Sequence, residues 1–222
     1  MRLHHFILAC ASIATATASA FASPQAPVPG ADYLVLATPQ PVQAAPGKVE
    51  VIEFFMYHCP ACNALEPGLA RWVKENAATV SFRRIHLPHT PDNDPEAHLF
   101  LTLEALKKEE ALHAQVMHTW HVERKRLASD RDNLDWALKN GLDKAAFEGA
   151  YQSFGVQTKL KNLPRLAAAY QVDSTPTLIV GGRYLTNPSM VAGANPGLPR
   201  QGVDQATLQV VQALVAKAKL AK

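Results

Sequence analysis

The sequence predicts an α/β fold in which one sheet domain is split by an all-helical insertion, and three observations lead there. Val49 to Tyr57 is a run apolar enough to be a strand buried on both faces. From Asp94 to about Tyr170 apolar residues recur at helical spacing, with no strand signal between. Strand signals return at "PTLIVGGRYLT", where Gly181-Gly182 separates two apolar runs as a hairpin turn. With 222 residues and a hydrophobic fraction of 48%, the chain can bury one sizeable core.

The elements follow in order. A Pro-rich leader (Pro24, Pro27, Pro29) and the short run "DYLVLATP" precede the buried strand. Pro60 then opens a helix through Leu65, Leu69, Trp72 and Val73, because proline in the first turn removes only an amide that had no partner. Pro67 should bend that helix. "TVSFRRIHLP" (79–88) alternates as a second strand.

Asp94-Pro95-Glu96 is a cap, a first-turn proline and an acid, leading into Leu99, Leu103 and Leu106. Leu112, Val116 and Trp120 continue at the same spacing. Ser129 with Asp132 forms a capping box, and Asn140-Gly141 ends the helix it starts. Asp143 begins another helical turn, and "GVQTKLKNLPRLAAAY" a longer helix bent at Pro164, so four or so helices are expected between the strands. Asn187 to Gly202, rich in Pro and Gly, reads as a loop, and a last amphipathic helix begins near Asp204 with Leu208, Val211 and Val215 on one face.

The first residues set the expected compartment. Arg2 and two histidines precede "FILACASIATATASAFA", a short apolar region ending in small residues, as in a secretory signal peptide. Cleavage after Ala20 or Ala22 fits, with residues 1–22 the preferred assignment; either removes Cys10. Lipid attachment at Cys10 fits less well, since bulky Leu8 stands where a small residue is expected. No later segment is apolar for long enough to span a bilayer. The formal charge of +3 is scattered, which leaves no basic footprint for nucleic acid.

An exported chain would retain one cysteine pair, Cys59 and Cys62. A bridge over two intervening residues constrains the unfolded chain little, so a stabilising staple is a weak explanation. Chemistry is a better one. Cys59 stands at a helix N-terminus, where unpaired amides and the positive end of the dipole favour a thiolate. A lowered thiol pKa makes Cys59 a good attacker and a good leaving group, while Cys62, one turn deeper, is suited to resolve a mixed disulfide. Zinc would need further ligands, from His86 and His89 or from His118 and His121, the latter pair expected to be solvated. Covalent haem attachment is excluded because residue 63 is Asn. His58 has two readings, a cation beside the thiolate or a solvated loop residue.

The combination "VIEFFMYHCPACNALEP", a helical block and "VDSTPTLIVGGRYLT" resembles the DsbA family of periplasmic thiol:disulfide oxidoreductases. The resemblance implies a thioredoxin fold with an inserted helical domain: thioredoxin-like parts at 23–90 and 171–222, and the insertion at 91–170. It implies that Cys59 is the surface nucleophile and Cys62 the resolving thiol. Thr175-Pro176 would be the cis-proline loop that binds the substrate backbone. Glu53, whose same-face neighbours Val51, Phe55 and Tyr57 make an ionised carboxylate costly, would exchange a proton with Cys62.

The implied partners are reduced, unfolded exported proteins and a membrane reoxidant of the DsbB type. The chain would act as a monomer with no cofactor beyond the Cys59–Cys62 disulfide. Members with His as the second residue between the cysteines use it to hold the thiolate; here Pro60-Ala61 lacks it, so a weaker oxidant is expected unless helix amides and His58 compensate. A reductase or isomerase is the neighbouring alternative, and a metal-binding or chaperone-like module the alternative from another class.

Overall fold

The computed structural model describes residues 24–90 and 93–220. The expected signal peptide with Cys10, and residues 91–92 at the start of the expected insertion, lie outside them.

The described strands are β1 (Leu34–Val35), β2 (Val49–Phe55), β3 (Val80–His86), β4 (Thr177–Val180) and β5 (Tyr184–Thr186), in one sheet of order β1-β5-β4-β2-β3. Every residue of β2 is buried, as its apolar run requires, with β3 parallel on one side and β4 antiparallel on the other. A parallel neighbour needs a crossover, and helix α1 (Pro60–Glu75) supplies it. β2 stops at Phe55, short of Tyr57, because the chain turns through Tyr57 and His58 to reach α1; Cys59 N–H closes that turn on Met56 O at 3.2 Å. "DYLVLATP" contributes only the two-residue edge strand β1, paired with β5.

Between β3 and β4 run α2 (Pro95–Ala105), α3 (Glu109–His121), α4 (Asp130–Lys139), α5 (Lys144–Tyr151) and α6 (Phe154–Ala169). There are five helices rather than about four. The apolar spacing from Leu99 to Trp120 does not run through, because Lys107 adopts φ 57° and Lys108 N–H bonds back to Leu103 O at 2.8 Å, ending α2. The caps read from sequence form: Asp94 accepts from Ala97 N–H and Ser129 from Asp132 N–H.

The expected loop after Asn187 is corrected too. Its first half is helix α7 (Pro188–Ala194), started by the Asn187 side chain accepting from Met190 N–H and by Pro188, and anchored by buried Val191. A single 3₁₀ turn at Arg200–Gly202 leads into α8 (Val203–Leu220).

Alternation along β2 and β4 sorts the core into two layers. Val51 and Val180 meet α1 and α8 through Leu65, Leu69, Val210 and Leu214. Ile52, Phe54 and Ile179 face the other way, toward the helical insertion. In the β4–β5 hairpin Gly181 and Gly182 take φ +60° and +63°, and a Cβ on Gly182 would collide with the Gln40 carbonyl. The architecture is a thioredoxin fold carrying a helical insertion.

Candidate active site

Cys59 is the residue that caps α1. Its φ of −74° and ψ of 116° are extended, Pro60 occupies the first helical position, and its sulfur accepts from Cys62 N–H at 3.4 Å. The sulfur therefore faces the unpaired amides of the first turn, where the helix dipole presents roughly half a positive charge. Across from it lies the Thr175-Pro176 loop, whose peptide bond is cis; Thr175 O is 3.5 Å from Cys59 Sγ. The carbonyl can accept only from the thiol, whereas the Thr175 hydroxyl, buried and otherwise unpartnered, can donate to the thiolate.

Both thiols are free, and their environments separate them. The Cys59 pKa is lowered from the ordinary 9.0 to about 5, first by a hydrogen bond from the Cys62 thiol, then by Thr175 and the amides of Cys62 and Ala61, against the opposing effect of burial. Cys62 moves the opposite way, because it donates that hydrogen bond, is fully buried and feels the charge of Glu53. Cys59 is less open than a surface nucleophile should be, with 8% of its surface accessible, since the Thr175 loop packs over it. Pro60 and Ala61 are exposed beside it, so position 61 lies on the open rim.

Glu53 lies fully buried on β2, and burial raises its pKa to about 7. It is not unpaired. Parallel register sets it opposite Arg84 on β3, whose Nε donates to Glu53 Oε2 at 3.1 Å and whose Nη2 reaches Glu66 of α1 at 2.8 Å. The second oxygen, Glu53 Oε1, has no partner. Arg84 escapes a sequence reading because its partner is fixed by the parallel register of two strands 24 residues apart between Phe55 and Val80; the signal is a pair of arginines, Arg83 and Arg84, inside an otherwise strand-like run, and only the register says which of them meets Glu53.

His58 is not free, although 32% of its side chain stays exposed. Its backbone N–H and Nδ1 both meet the Glu96 carboxylate from α2, at 2.9 and 2.7 Å. That contact raises the His58 pKa, and although burial opposes it, the Glu96 carboxyl is held down at about 2 by His58 and His86. His121, expected to be solvated, donates from Nε2 to Tyr57 O at 2.8 Å, and His86 Nε2 lies 3.3 Å from Tyr57 N–H. Three side chains of β3 and the insertion thus grip the two residues before Cys59. Among the described residues no group of three or more His, Cys, Asp or Glu is placed to hold a metal ion, and no helix is long and apolar enough to cross a membrane.

The Thioredoxin family matches residues 43–195 of the chain. The thiol:disulfide interchange protein DsbA of Bordetella parapertussis is 36% identical over 203 residues, covering 91% of this chain and 95% of its own. DsbA of Burkholderia cepacia is 37% identical over 178 residues, 80% of this chain and 84% of its own. The crystal structure of Pseudomonas aeruginosa DsbA superposes with a TM-score of 0.75 at 32% identity, covering 87% of this chain and 95% of that one. Relatives at that identity over most of both chains, with a Cys59–Cys62 pair at the start of α1, place the chain in the DsbA family of thiol:disulfide interchange oxidoreductases.

Proposed function

We propose that the chain works in the oxidising direction, donating a Cys59–Cys62 disulfide to reduced, unfolded exported proteins in the periplasm. The observation that carries this reading is the opposite displacement of the two thiols, Cys59 down to about 5 and Cys62 up. A thiolate that stable at neutral pH favours the dithiol form of the protein, and so favours passing the disulfide on.

In the first step a substrate thiolate attacks Cys59 Sγ of the disulfide. The S–S bond breaks, a substrate–Cys59 mixed disulfide forms, and Cys62 leaves and takes a proton from the Glu53 carboxyl. In the second a second substrate thiolate attacks the substrate sulfur of the mixed disulfide, forming the substrate disulfide and releasing the Cys59 thiolate. Two electrons pass from two substrate thiols to the cysteine pair, and an external disulfide, supplied by a membrane partner of the DsbB type, takes them back. Thr175-Pro176 would hold an extended substrate segment by its backbone, as in strand addition. Residues 1–22 would direct export, the division at 91 and 170 would separate the thioredoxin-like parts from the insertion, and a monomer with no cofactor beyond its own disulfide suffices.

The test is disulfide transfer to a reduced, unfolded substrate. Cys59→Ser and Cys62→Ser should each abolish it, since neither variant can hold the disulfide that is passed on; transfer unchanged in Cys59→Ser refutes the assignment. Equilibration with glutathione sets direction: a potential near that of cytosolic thioredoxins, about −270 mV, would make the chain a reductase.

A further inference from the structure

Beneath the cysteines four charged side chains close a ring. Glu66 of α1 accepts from Arg84 Nη2 at 2.8 Å, and Arg84 Nη1 meets Glu109 Oε1 of α3 at 3.4 Å. Glu109 Oε1 lies 3.3 Å from Nδ1 of His113, also on α3, and His113 Nε2 lies 3.4 Å from Glu66 Oε2. Both ring nitrogens of a histidine that is 2% exposed therefore lie within ion-pair distance of carboxylate oxygens, and although neither is aligned for a hydrogen bond, a protonated imidazole is the form that two flanking carboxylates favour. Burial would lower the His113 pKa, yet Glu109 and Glu66 raise it; both acids are held below their ordinary range by His113 and Arg84, against burial.

Two anions and two cations sum to zero. Glu53 is the fifth member, joined to the ring only through Arg84 Nε, with Oε1 unpartnered. Ionising it leaves a net negative charge centred on the one fully buried carboxyl of the group, the ring acids being partly exposed, so Glu53 is the member that keeps a proton. The charged groups that act on it are Arg84 from β3, Glu66 from α1 and His113 from α3, with Cys62 of α1 beside them; Glu109 of α3 reaches it only through Arg84 and His113, and β4 sets uncharged Leu178 opposite it.

We propose that His113 and Glu109, supplied by the helical insertion, are positioning residues that fix how tightly Glu53 holds the proton it exchanges with Cys62. This rests on Glu53 serving as the proton site of the proposed function. The insertion thereby tunes the resolving step without touching sulfur or substrate. Removing the His113 cation tips the ring negative and tightens the Glu53 proton; removing the Glu109 anion tips it positive and loosens it.

The experiment follows the Glu53 side-chain carboxyl by carbon NMR against pH in the reduced full mature protein, its signal assigned by its loss in Glu53→Gln. The midpoint should rise by about one pH unit in His113→Asn and fall by a similar amount in Glu109→Gln. The rate at which Cys62 resolves a glutathione–Cys59 mixed disulfide should shift its pH profile in the same two directions. Midpoints that are unchanged, or that move the same way in both variants, overturn the proposal; disturbed packing alone gives no such opposition of sign. Glu109→Gln keeps shape and hydrogen bonding, so it remains decisive if His113→Asn folds poorly. A resolving profile unchanged in Glu53→Gln refutes Glu53 as the proton site and this inference with it, whereas a changed profile there without opposed shifts in the ring variants refutes this inference alone.

Discussion

If the Cys59 thiolate is as favoured as its surroundings indicate, the reduced protein must gain stability with rising pH, and Cys59→Ser must abolish that gain. The thiol is lowered from 9.0 to about 5. At about 1.4 kcal/mol per pH unit, that displacement corresponds to about 5 kcal/mol. Cys59 keeps 8% of its surface accessible and borders exposed Pro60 and Ala61, so partial solvent screening reduces the figure to about 2–3 kcal/mol. The group is an acid with a depressed folded pKa. Between about pH 5 and pH 9 the unfolded chain binds one more proton than the folded one, so stability rises with pH, is fully present above the unfolded value and is lost as pH falls through about 5.

Glu53 acts in the opposite sense, because its folded pKa is raised from 4.5 to about 7 and its contribution is lost as pH rises through that interval. It is common to wild type and variant and cancels in the difference. Urea unfolding of reduced wild type and reduced Cys59→Ser should therefore give a stability difference that grows by about 2 kcal/mol between about pH 5 and pH 8.5. Thiolate ultraviolet absorbance should titrate with a midpoint near 5 in the wild type. A stability difference that is flat with pH, or an absorbance midpoint above about 8, refutes the reasoning.

Ala61→His returns an imidazole to the exposed rim of the site; it should lower the Cys59 midpoint by about one unit and shift the glutathione equilibrium about tenfold toward the dithiol. Thr175→Val deletes the buried hydroxyl while keeping its volume, so the Cys59 midpoint should rise, by thiolate absorbance, with little change in melting temperature. Glu96→Gln removes the carboxylate from His58 and His86. His58 should then titrate at lower pH by proton NMR, and the protein should lose about 1–3 kcal/mol in urea unfolding, discounted because His58 is partly exposed. Gly182→Ala places a Cβ at φ +63° against the Gln40 carbonyl and should cost about 1–3 kcal/mol or more by the same assay.

Local chemistry made much of the site legible in advance. Pro60 after Cys59 marks a helix start because, within a helix, proline's missing amide costs no hydrogen bond in the first turn. An N-terminal sulfur then faces unpaired amides as a matter of backbone geometry. Asp94 and Ser129 likewise capped the helices they were expected to start. Asn187 carries the same signal, yet the Pro and Gly that follow it read as loop; the helix there holds because Val191 is buried, and burial is a tertiary fact.

The sequence by itself determined a thiol at a strand–helix junction where a helix N-terminus favours its anion, a second thiol one turn behind it and an acid within a buried strand. Tertiary structure decided what holds them. Arg84 reaches Glu53 only through the parallel register of β2 and β3, and Glu96, His121, Glu109 and His113 arrive from an insertion whose docking no local pattern encodes. Spacing along the chain fixes what a backbone can do within a turn or two. Charge balance in a buried site depends on which side chains meet there, and that is set when the insertion packs against the sheet.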